Sequence, residues 1–314
     1  MMSLLVIVCT HDRSRLLDSA LFWLNDAQRP DDLAIKLLVV ANACTDDTAG
    51  VLDKYSQQGM QNLPLSWIKE NKLGKSYALN TAIQMVDTDI AVFVDDDHRV
   101  DSSFFTEISR AVKEYPKAGL FCGRIIPDWD GNEPPWVHDD GIYRIYPLPV
   151  PNFNMGDKPC EITPSGKIPG GGNLFMRSEI FDIAGSFNVG LGPRGRGLGG
   201  SEDTDFVLRA LSLNIHGQYL PDVVQYHYVD NERLKLRYIL AKSYQRSRSI
   251  TRVKTEETRI PAYLWRKVVL YSLKACSFSL SRSRFYLVRL MAVLGEMHGI
   301  RDARSRRTLR DEAM

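Results

Sequence analysis

Four short apolar segments in the first hundred residues each end in a cluster of polar side chains, and this pattern is the strongest constraint on the fold. The segments span residues 4–9, 34–40, 65–68 and 90–94, and apolar residues recur at helical spacing between them. Strands that alternate with helices are typical of a largely parallel sheet. Such sheets bind ligands at the carboxyl ends of their strands, where these polar clusters would meet. The sequence therefore predicts an α/β fold with a site at that edge.

The fourth polar cluster consists of three adjacent carboxylates, Asp95, Asp96 and Asp97. Neighbouring carboxylates cannot all stay ionised without a compensating cation. Hard divalent cations take oxygen ligands, and Mg²⁺ is commonly shared between carboxylates and substrate phosphates. We interpret the cluster as a metal site that holds a phosphate ligand; the alternative is an acidic, solvated loop.

Charge is distributed unevenly along the 314 residues. The net charge is +2, but residues 231–314 hold 20 basic and 7 acidic side chains, a net +13, which leaves −11 for residues 1–230. We therefore predict a domain at 1–230 and a basic amphipathic helical extension at 231–314. Such helices favour anionic membrane surfaces, although a solvated basic face on packed helices is the alternative. We expect no nucleic-acid partner, because no reading motif accompanies the charge.

Cysteine usage and apolar run lengths indicate the compartment. The five cysteines are scattered and form no C-x-x-C pair, so neither a disulfide framework nor a zinc site is indicated. The N-terminus lacks the features of a signal peptide, and no apolar run approaches the length of about 18 residues that spans a bilayer. We expect a cytoplasmic protein that can lie peripherally on the inner face of the plasma membrane.

Five sequence elements occur in the order found in family 2 glycosyltransferases, and their combination resembles that family. They lie at residues 9–13, 39–48, 71–80, 95–97 and 171–205, the last ending in Ser201-Glu202-Asp203-Thr204-Asp205. The resemblance covers about residues 3–228 and implies the GT-A fold. It also implies inverting, metal-dependent transfer of a sugar from a nucleotide-diphosphate donor, with UDP as the default nucleotide. The implied acceptor is a glycan or lipid-linked glycan, as in bacterial surface or exopolysaccharide assembly.

The same resemblance, together with the chemistry of the side chains, assigns donor and metal residues. The metal would be Mg²⁺ or Mn²⁺, held by Asp97 and Asp95, with His227 as a further ligand; a satisfied buried histidine is the alternative for His227. Lys75 would meet a phosphate as a point charge, or else be a solvated lysine at a helix start. The residues expected to bind the donor are Thr10, His11, Arg13, Asn42, Asp46, Asn71, Lys75, Asp95 and Asp96.

Three positions depart from the family pattern. Ala41 stands where an acidic residue commonly helps to hold the nucleobase, so that contact is either lost or passed to Asn42 or Asp46. His11 replaces an aromatic tyrosine, and an imidazole can still stack on a base. Ser201 replaces a glycine before the acidic pair.

The acidic pair Glu202 and Asp203 carries the predicted chemistry. An acceptor hydroxyl must lose its proton as it attacks, and we predict Asp203 as the base, with Glu202 beside it raising its pKa. The alternative is that both acids only occupy a helix N-terminus, where the helix dipole favours acidic side chains.

The glycine-rich stretch 190–200, with Arg194 and Arg196, predicts either a lid or a disordered loop. Residues 127–136 would line the acceptor side, although Trp136 is equally consistent with core packing.

Two other functions remain open at this level. A nucleotidyl or phosphoryl transferase would use the same acidic cluster but has no need of Asp203, and its G-x-x-x-x-G-K loop is not in the sequence. A catalytically inactive nucleotide-sugar-binding scaffold of a polysaccharide assembly complex is the non-enzymatic alternative. Ala41 and Ser201 are the residues that favour it.

Overall fold

The computed structural model of the protein describes residues 1–58, 63–146, 148–193, 202–254 and 259–311. The chain divides into two compact units. The first comprises Met1–Asp128 and Asn152–Tyr228, and the second comprises Trp129–Pro151 and Val229–Met314. The boundary predicted at residue 230 lies close to Tyr228, and Trp129–Pro151 groups with the C-terminal part of the chain by its contacts.

The first unit is built on one mixed sheet. Its strands, within the described residues, are β1 Met2–Thr10, β2 Leu33–Asn42, β3 Leu65–Glu70, β4 Ile90–Phe93, β5 His98–Val100, β6 Leu120–Asp128, β7 Cys160–Ile162, β8 Leu174–Arg177 and β9 Gly217–Tyr228. Its helices are α1 Ser14–Asp26, α2 Thr48–Gln58, α3 Lys75–Ile83, α4 Phe104–Glu114, α5 Ile180–Ala184 and α6 Glu202–Ser212. A 3₁₀ turn at Gly171–Asn173 leads directly into β8.

The strand order is β3-β2-β1-β4-β8-β6-β9-β5, and β7 pairs with β9. The first four strands are parallel, and the predicted α/β fold with a sheet flanked by helices is confirmed. The sheet is less parallel than the sequence predicts, because the β4–β8, β6–β8, β5–β9 and β7–β9 pairs are antiparallel. A parallel neighbour needs a crossover connection, usually a helix, and β8 follows a long irregular segment instead.

The sheet buries both of its faces. In β1, Leu4, Val6 and Val8 face one core, and Leu5 and Ile7 face the other, as the alternation of side chains along a strand requires. The first core packs against α1, α2 and α4, and the second packs against α3, α5 and α6. A strand that is buried on both faces consists of consecutive apolar residues, which explains the apolar runs of β1, β2 and β4 in the sequence.

The second unit is helical in its C-terminal part. It contains a 3₁₀ turn at Pro135–His138 and the helices α7 Asn231–Leu234, α8 Leu236–Lys254, α9 Ala262–Ala275 and α10 Leu280–Asp311. Leu264 of α9 packs against Val293, Met297 and Ile300 of α10. The helices α8 and α10 approach closely at Gly295, where a Cβ atom would lie 2.2 Å from the carbonyl oxygen of Tyr244.

Candidate functional site

Polar side chains from several strand ends meet at one edge of the sheet in the first unit. They come from the carboxyl ends of β1, β2 and β4, from β5 and β9, and from the first turns of α3 and α6. The sequence predicts that the ends of parallel strands come together, and β1, β2, β3 and β4 do so here. The three adjacent aspartates form the turn between β4 and β5. Asp96 and Asp97 share Arg13, and Asp95 pairs with Lys75.

Asp96 is buried, with 4% of its surface exposed, and anchors the acidic turn to the end of β1. Thr10 Oγ1 donates to Asp96 Oδ2 at 2.7 Å, and Arg13 Nη1 donates to Asp96 Oδ1 at 3.0 Å. The same guanidinium atom lies 2.9 Å from Asp97 Oδ2. Burial and the neighbouring charge of Asp97 raise the pKa of Asp96 to about 6, and Arg13 opposes that shift. Thr10, Arg13 and Asp96 thus form one internal network that fixes the turn.

Asp95 forms an ion pair with Lys75 at the start of α3, with Lys75 Nζ 2.7 Å from Asp95 Oδ1. Burial disfavours the charged carboxylate, but the attraction of Lys75 and of the nearby histidines is stronger and holds the pKa of Asp95 well below its usual range. Burial likewise disfavours the ammonium, yet Asp95 and Asp203 raise the pKa of Lys75 above its ordinary value. Both groups are therefore charged at neutral pH.

Asp97 lies beside two histidines, and this triad is the strongest candidate metal centre in the described part of the chain. One ligand atom from each of Asp97, His98 and His227 lies within 4.8 Å of the others. His227 Nε2 is 3.7 Å from Asp97 Oδ2, and His98 Nε2 is 3.9 Å from Asp97 Oδ1. The two histidines are direct partners in the antiparallel β5–β9 pair, which brings their rings together. Asp95 does not join this triad but pairs with Lys75.

Hydrogen bonds to the other ring nitrogen orient both imidazoles of the triad. His98 Nδ1 donates to Gln225 Oε1 at 2.6 Å, and His227 Nδ1 donates to the carbonyl oxygen of Tyr228 at 2.6 Å. In both rings the Nε2 atom faces Asp97. Burial lowers the pKa of His227 although Asp97 opposes the shift, so this imidazole is neutral at neutral pH. Imidazoles that are oriented in this way beside a carboxylate are a donor set suited to a divalent cation.

Two buried amide side chains, Gln225 and Asn173, hold the His98 ring in place. Gln225 Nε2 donates to Asn173 Oδ1 at 3.1 Å, and Asn173 Nδ2 donates to the carbonyl oxygen of Val223 at 3.0 Å. The backbone closes over His98 at Gly172, where a Cβ atom would lie 2.5 Å from His98 Cε1 and 2.9 Å from Asp95 Oδ2. Only glycine allows this approach.

Sequence reasoning missed His98, Gln225 and Gly172 as contributors to the candidate metal site. His98 had a visible signal, because it directly follows the three aspartates. Gln225 had none, since a single glutamine in an apolar segment has no periodicity or spacing that distinguishes it. Its role depends on a pairing between strands that are far apart in the sequence.

The acidic pair lies in the first turn of α6. Asp203 Oδ2 accepts a hydrogen bond from the backbone N–H of Gly171, and Thr204 N donates to Asp203 Oδ1 at 3.0 Å. Glu202 is 2% exposed, and its Oε2 atom has no hydrogen-bond partner among the described residues. Burial and the charge of Asp203 raise the pKa of Glu202. A small cavity is lined by Lys75, Asp95 and Asp203 together, so the structure brings the predicted base close to the Lys75–Asp95 ion pair.

Two predicted donor residues hold backbone loops. Asn42 is 3% exposed, its Oδ1 accepts from Gly74 N at 2.8 Å, and its Nδ2 donates to the carbonyl oxygen of Lys72 at 2.8 Å. Asp46 Oδ2 accepts from Ser14 N at 2.9 Å. His11 is partly exposed, and its Nδ1 lies 2.7 Å from the carbonyl oxygen of Asn42, while its ring borders the same edge of the sheet.

The remaining predicted residues lie at or beyond the border of this site. Asn71 is exposed in the turn between β3 and α3. Arg194, Arg196 and Ser201 lie outside the described residues. The described start of the glycine-rich stretch contacts α3, since Ser76 Oγ donates to the carbonyl oxygen of Leu191 at 3.0 Å. Trp136 belongs to the second unit, where the guanidinium of Arg284 lies over its ring at 5.1 Å.

Comparison with known proteins gives a family match and several similar folds. The family model described as Glycosyl transferase family 2 matches residues 5–182, more than half of the chain. No curated protein matches the chain. A structure of S. aureus TarS 1–349 in complex with UDP has 18% identity and a TM-score of 0.56, with 98% of this chain and 92% of that chain covered.

Two further structures are similar in fold. The mannosyltransferase PcManGT from Pyrobaculum calidifontis, in complex with GDP-Man and Mn²⁺, has 17% identity and a TM-score of 0.57, with 96% of this chain and 86% of that chain covered. A longer S. aureus TarS structure has 18% identity and a TM-score of 0.54, with 90% of this chain covered. The present chain spans 44% of the length of that longer TarS chain. These similarities establish the GT-A fold.

None of the helices in the described residues is long and apolar enough to span a bilayer.

Proposed function

The chain belongs to glycosyl transferase family 2, and we propose that it transfers a sugar, with inversion, from a nucleotide-diphosphate donor to a glycan or lipid-linked glycan. Its enzyme class, glycosyltransferase, follows from the family. The donor nucleotide, the acceptor and the stereochemistry are the proposed parts. The polar edge of the first unit is the proposed site.

The observation that carries the proposal is the triad of Asp97, His98 and His227. Its two imidazoles are fixed with Nε2 facing the carboxylate, and Asp97 is the carboxylate they share. We propose these three as the metal ligands, with Asp95 facing the same space from its pair with Lys75. A divalent cation held there would neutralise the diphosphate as it leaves. Mn²⁺ suits this set better than Mg²⁺, because Mg²⁺ favours ligands that are all oxygen.

Lys75 and Asp95 are the proposed contacts to the rest of the donor. Lys75 pairs with Asp95, and the charge of Asp203 also attracts its ammonium, so Lys75 can bind a phosphate oxygen when the donor displaces Asp95. The partly exposed ring of His11 can stack on the nucleobase. Asn42 and Asp46 act through the loops that they hold, and Thr10, Arg13 and Asp96 fix the acidic turn.

Asp203 is the proposed general base for the acceptor hydroxyl. Its carboxylate borders the cavity that Asp95 and Lys75 also line, and the backbone N–H of Gly171 holds it in place. Glu202 is the buried acid next to this base in the first turn of α6, and burial and the charge of Asp203 raise the pKa of Glu202. A base on the side opposite the leaving diphosphate permits a single displacement, and that displacement inverts the anomeric carbon.

The nucleobase is the least determined part of the donor. The similar structures are complexes of other proteins with UDP, UDP-GlcNAc and GDP-Man. We propose a UDP-sugar, since UDP is the default nucleotide that the family resemblance implies. Ala41 removes the acidic side chain that commonly contacts the base, so selectivity at this position depends on His11 and on the surrounding backbone.

The deciding experiment is thermal unfolding of the purified protein with UDP, GDP, dTDP or CMP, each with Mn²⁺, Mg²⁺ or EDTA. A ligand that binds only the folded state raises the melting temperature by mass action. We expect a rise with one nucleotide that requires the metal. A rise in melting temperature without the metal would exclude a site in which the metal joins the protein to the diphosphate. No rise with any nucleotide would exclude the donor site. Donor binding without turnover on any acceptor would favour the inactive scaffold.

We also propose that the basic extension 231–314 places the enzyme on an anionic membrane surface at the cytoplasmic side. Leu264, Val268 and Tyr271 of α9 face the packed side of the helix, but Trp265, Val269 and Leu273 form a second apolar stripe that is exposed. Arg266 is exposed and borders this stripe next to Trp265. An exposed apolar stripe with cations beside it is typical of helices that lie in the membrane interface.

A further inference from the structure

The second unit contains a cavity of about 770 Å³ that the proposed transfer reaction does not use. It lies between the segment that includes Gly141 and Pro149 and the helices α8 and α10. Its volume is in the range of cavities that bind small molecules. All of its lining residues belong to the second unit.

Four cationic side chains line this cavity. They are Arg144, Lys242, Arg246 and Arg289. No aspartate or glutamate belongs to the lining, and among the described residues none of the four cations forms an ion pair with a carboxylate. Like charges that converge without a counterion repel one another, so a bound anion would relieve the repulsion. Arginine side chains match the oxygen geometry of a phosphate particularly well.

The other walls of the cavity are apolar. Ile239, Phe285 and Val288 come from α8 and α10, and Ile145 and Leu148 come from the segment before them. Ile239 is buried, whereas Ile142 and Tyr146, which also line the cavity, are strongly exposed. An anion of purely polar chemistry would leave these walls in contact with water. The cavity therefore offers two kinds of surface to one ligand, a cationic one and a hydrocarbon one.

We propose that this cavity binds an amphiphile that carries a phosphate headgroup on a hydrocarbon tail. The arginines and Lys242 bind the phosphate, and the walls from α8 and α10 bury the tail. A neutral lipid would leave the four cations without a counterion, and free phosphate would leave the apolar walls in contact with water. The phosphate-bearing amphiphile is the ligand class that satisfies both surfaces.

The test uses the full-length protein and three probes below their aggregation limits, octyl phosphate, 1-octanol and inorganic phosphate, with binding measured by titration calorimetry. We expect octyl phosphate to bind much more tightly than either other probe. Each methylene that is added to the tail and buried tightens binding by roughly fourfold, so decyl phosphate should bind more tightly than octyl phosphate. Equal binding of inorganic phosphate and octyl phosphate would overturn the role of the tail, and equal binding of 1-octanol would overturn the role of the cations.

Two charge-matched variants separate the cavity from general attraction to a basic surface. Arg246→Gln with Arg289→Gln removes two cavity cations and should weaken octyl phosphate binding by at least about tenfold. Arg237→Gln with Arg259→Gln removes two exposed cations of the same unit outside the cavity and should leave binding nearly unchanged. Equal weakening in both variants would show that surface charge, and not the cavity, attracts the probe.

A third variant tests the volume while it keeps every cation. Ala292→Phe places a ring on the α10 wall and should also weaken octyl phosphate binding. Far-UV circular dichroism and the unfolding temperature show whether each variant is folded. These measurements contain neither donor nor acceptor, so their outcome is independent of whether sugar transfer occurs. Unchanged binding in Ala292→Phe together with unchanged binding in Arg246→Gln/Arg289→Gln would overturn the proposal.

Discussion

His98 Nδ1 and Gln225 Oε1 form a 2.6 Å hydrogen bond across the β5–β9 pair, and both side chains are buried. This bond fixes the tautomer of His98 and presents its Nε2 atom to Asp97. Asn173 in turn holds Gln225. The orientation of His98, a proposed metal ligand, therefore depends on two side chains that are not proposed to bind the metal.

Gln225→Met should therefore weaken Mn²⁺ binding by about 10- to 100-fold, because His98 loses the partner that orients it. Manganese affinity of the nucleotide-free protein, measured by electron paramagnetic resonance, is the readout. Gln218→Met is the control and should leave the affinity unchanged. Gln218 lies on the same strand, and among the described residues its side chain makes only a long hydrogen bond, to the carbonyl oxygen of Tyr219. Unchanged affinity in Gln225→Met, or equal loss in both variants, would contradict the positioning role.

Gly172→Ala should weaken metal binding by more than about tenfold, since the added Cβ would lie 2.5 Å from His98 Cε1. The ring must then move away from Asp97. Gly141→Ala is the matched control, because a Cβ at Gly141 meets nothing within 4 Å. Titration of each variant with Mn²⁺, followed by its unfolding temperature, distinguishes them. A metal affinity equal to that of the parent protein would show that His98 is not a ligand.

Asp203→Asn should lower kcat by about 10² to 10⁴, because an amide cannot accept the proton of the acceptor hydroxyl. The melting-temperature rise with donor and Mn²⁺ should remain. Asp205→Asn changes an acid one half-turn further along α6 that pairs with Arg209, and its rate should stay within a few-fold of the parent. Loss of donor binding in Asp203→Asn would instead assign this carboxylate a structural role.

Glu202→Gln should stabilise the metal-free protein at high pH and not at low pH. Burial and the charge of Asp203 raise the pKa of Glu202, so the folded state binds its proton more tightly than the unfolded state. The resulting stability is present below the ordinary glutamate pKa and is lost as the pH rises through the raised value. Glutamine does not ionise, so Glu202→Gln removes this loss of stability.

The measurement is the unfolding temperature from about pH 5 to pH 8, where each kcal/mol is worth about 2 to 4 °C in a domain of this size. The difference between Glu202→Gln and the parent protein should grow with pH. Glu161→Gln changes an exposed carboxylate of the same unit and should leave the profile unchanged. A difference that is constant with pH would contradict the raised pKa.

Trp265→Ser with Leu273→Ser should reduce co-sedimentation with vesicles that contain anionic lipid by several-fold. These side chains are 52% and 70% exposed on α9, and their apolar area would be buried in the interface. Phe22→Ser removes an apolar side chain that is also exposed, but in the first unit, and should not change the binding. Equal binding of all three proteins would place the membrane contact elsewhere or exclude it.

The sequence by itself determined the order of elements and most of the polar edge. The strand predicted at 4–9 is the central part of β1 Met2–Thr10, and the strand predicted at 34–40 lies within β2 Leu33–Asn42. These features are local, since hydrophobic periodicity and the polar residue that follows each strand are visible within a few positions. Asp95, Asp97, Asp203 and His227 were also named from their positions in motifs.

Only the tertiary structure decided which of these side chains act together. The three aspartates are equivalent in the sequence, but Asp96 pairs with Thr10 and Arg13, Asp95 with Lys75, and Asp97 faces two histidines. The strand β5 has three residues, and its pairing with β9 joins positions that lie far apart along the chain. Local patterns carry no information on such a pairing, because it depends on the packing of the whole sheet, and this pairing is what makes His98 a neighbour of His227.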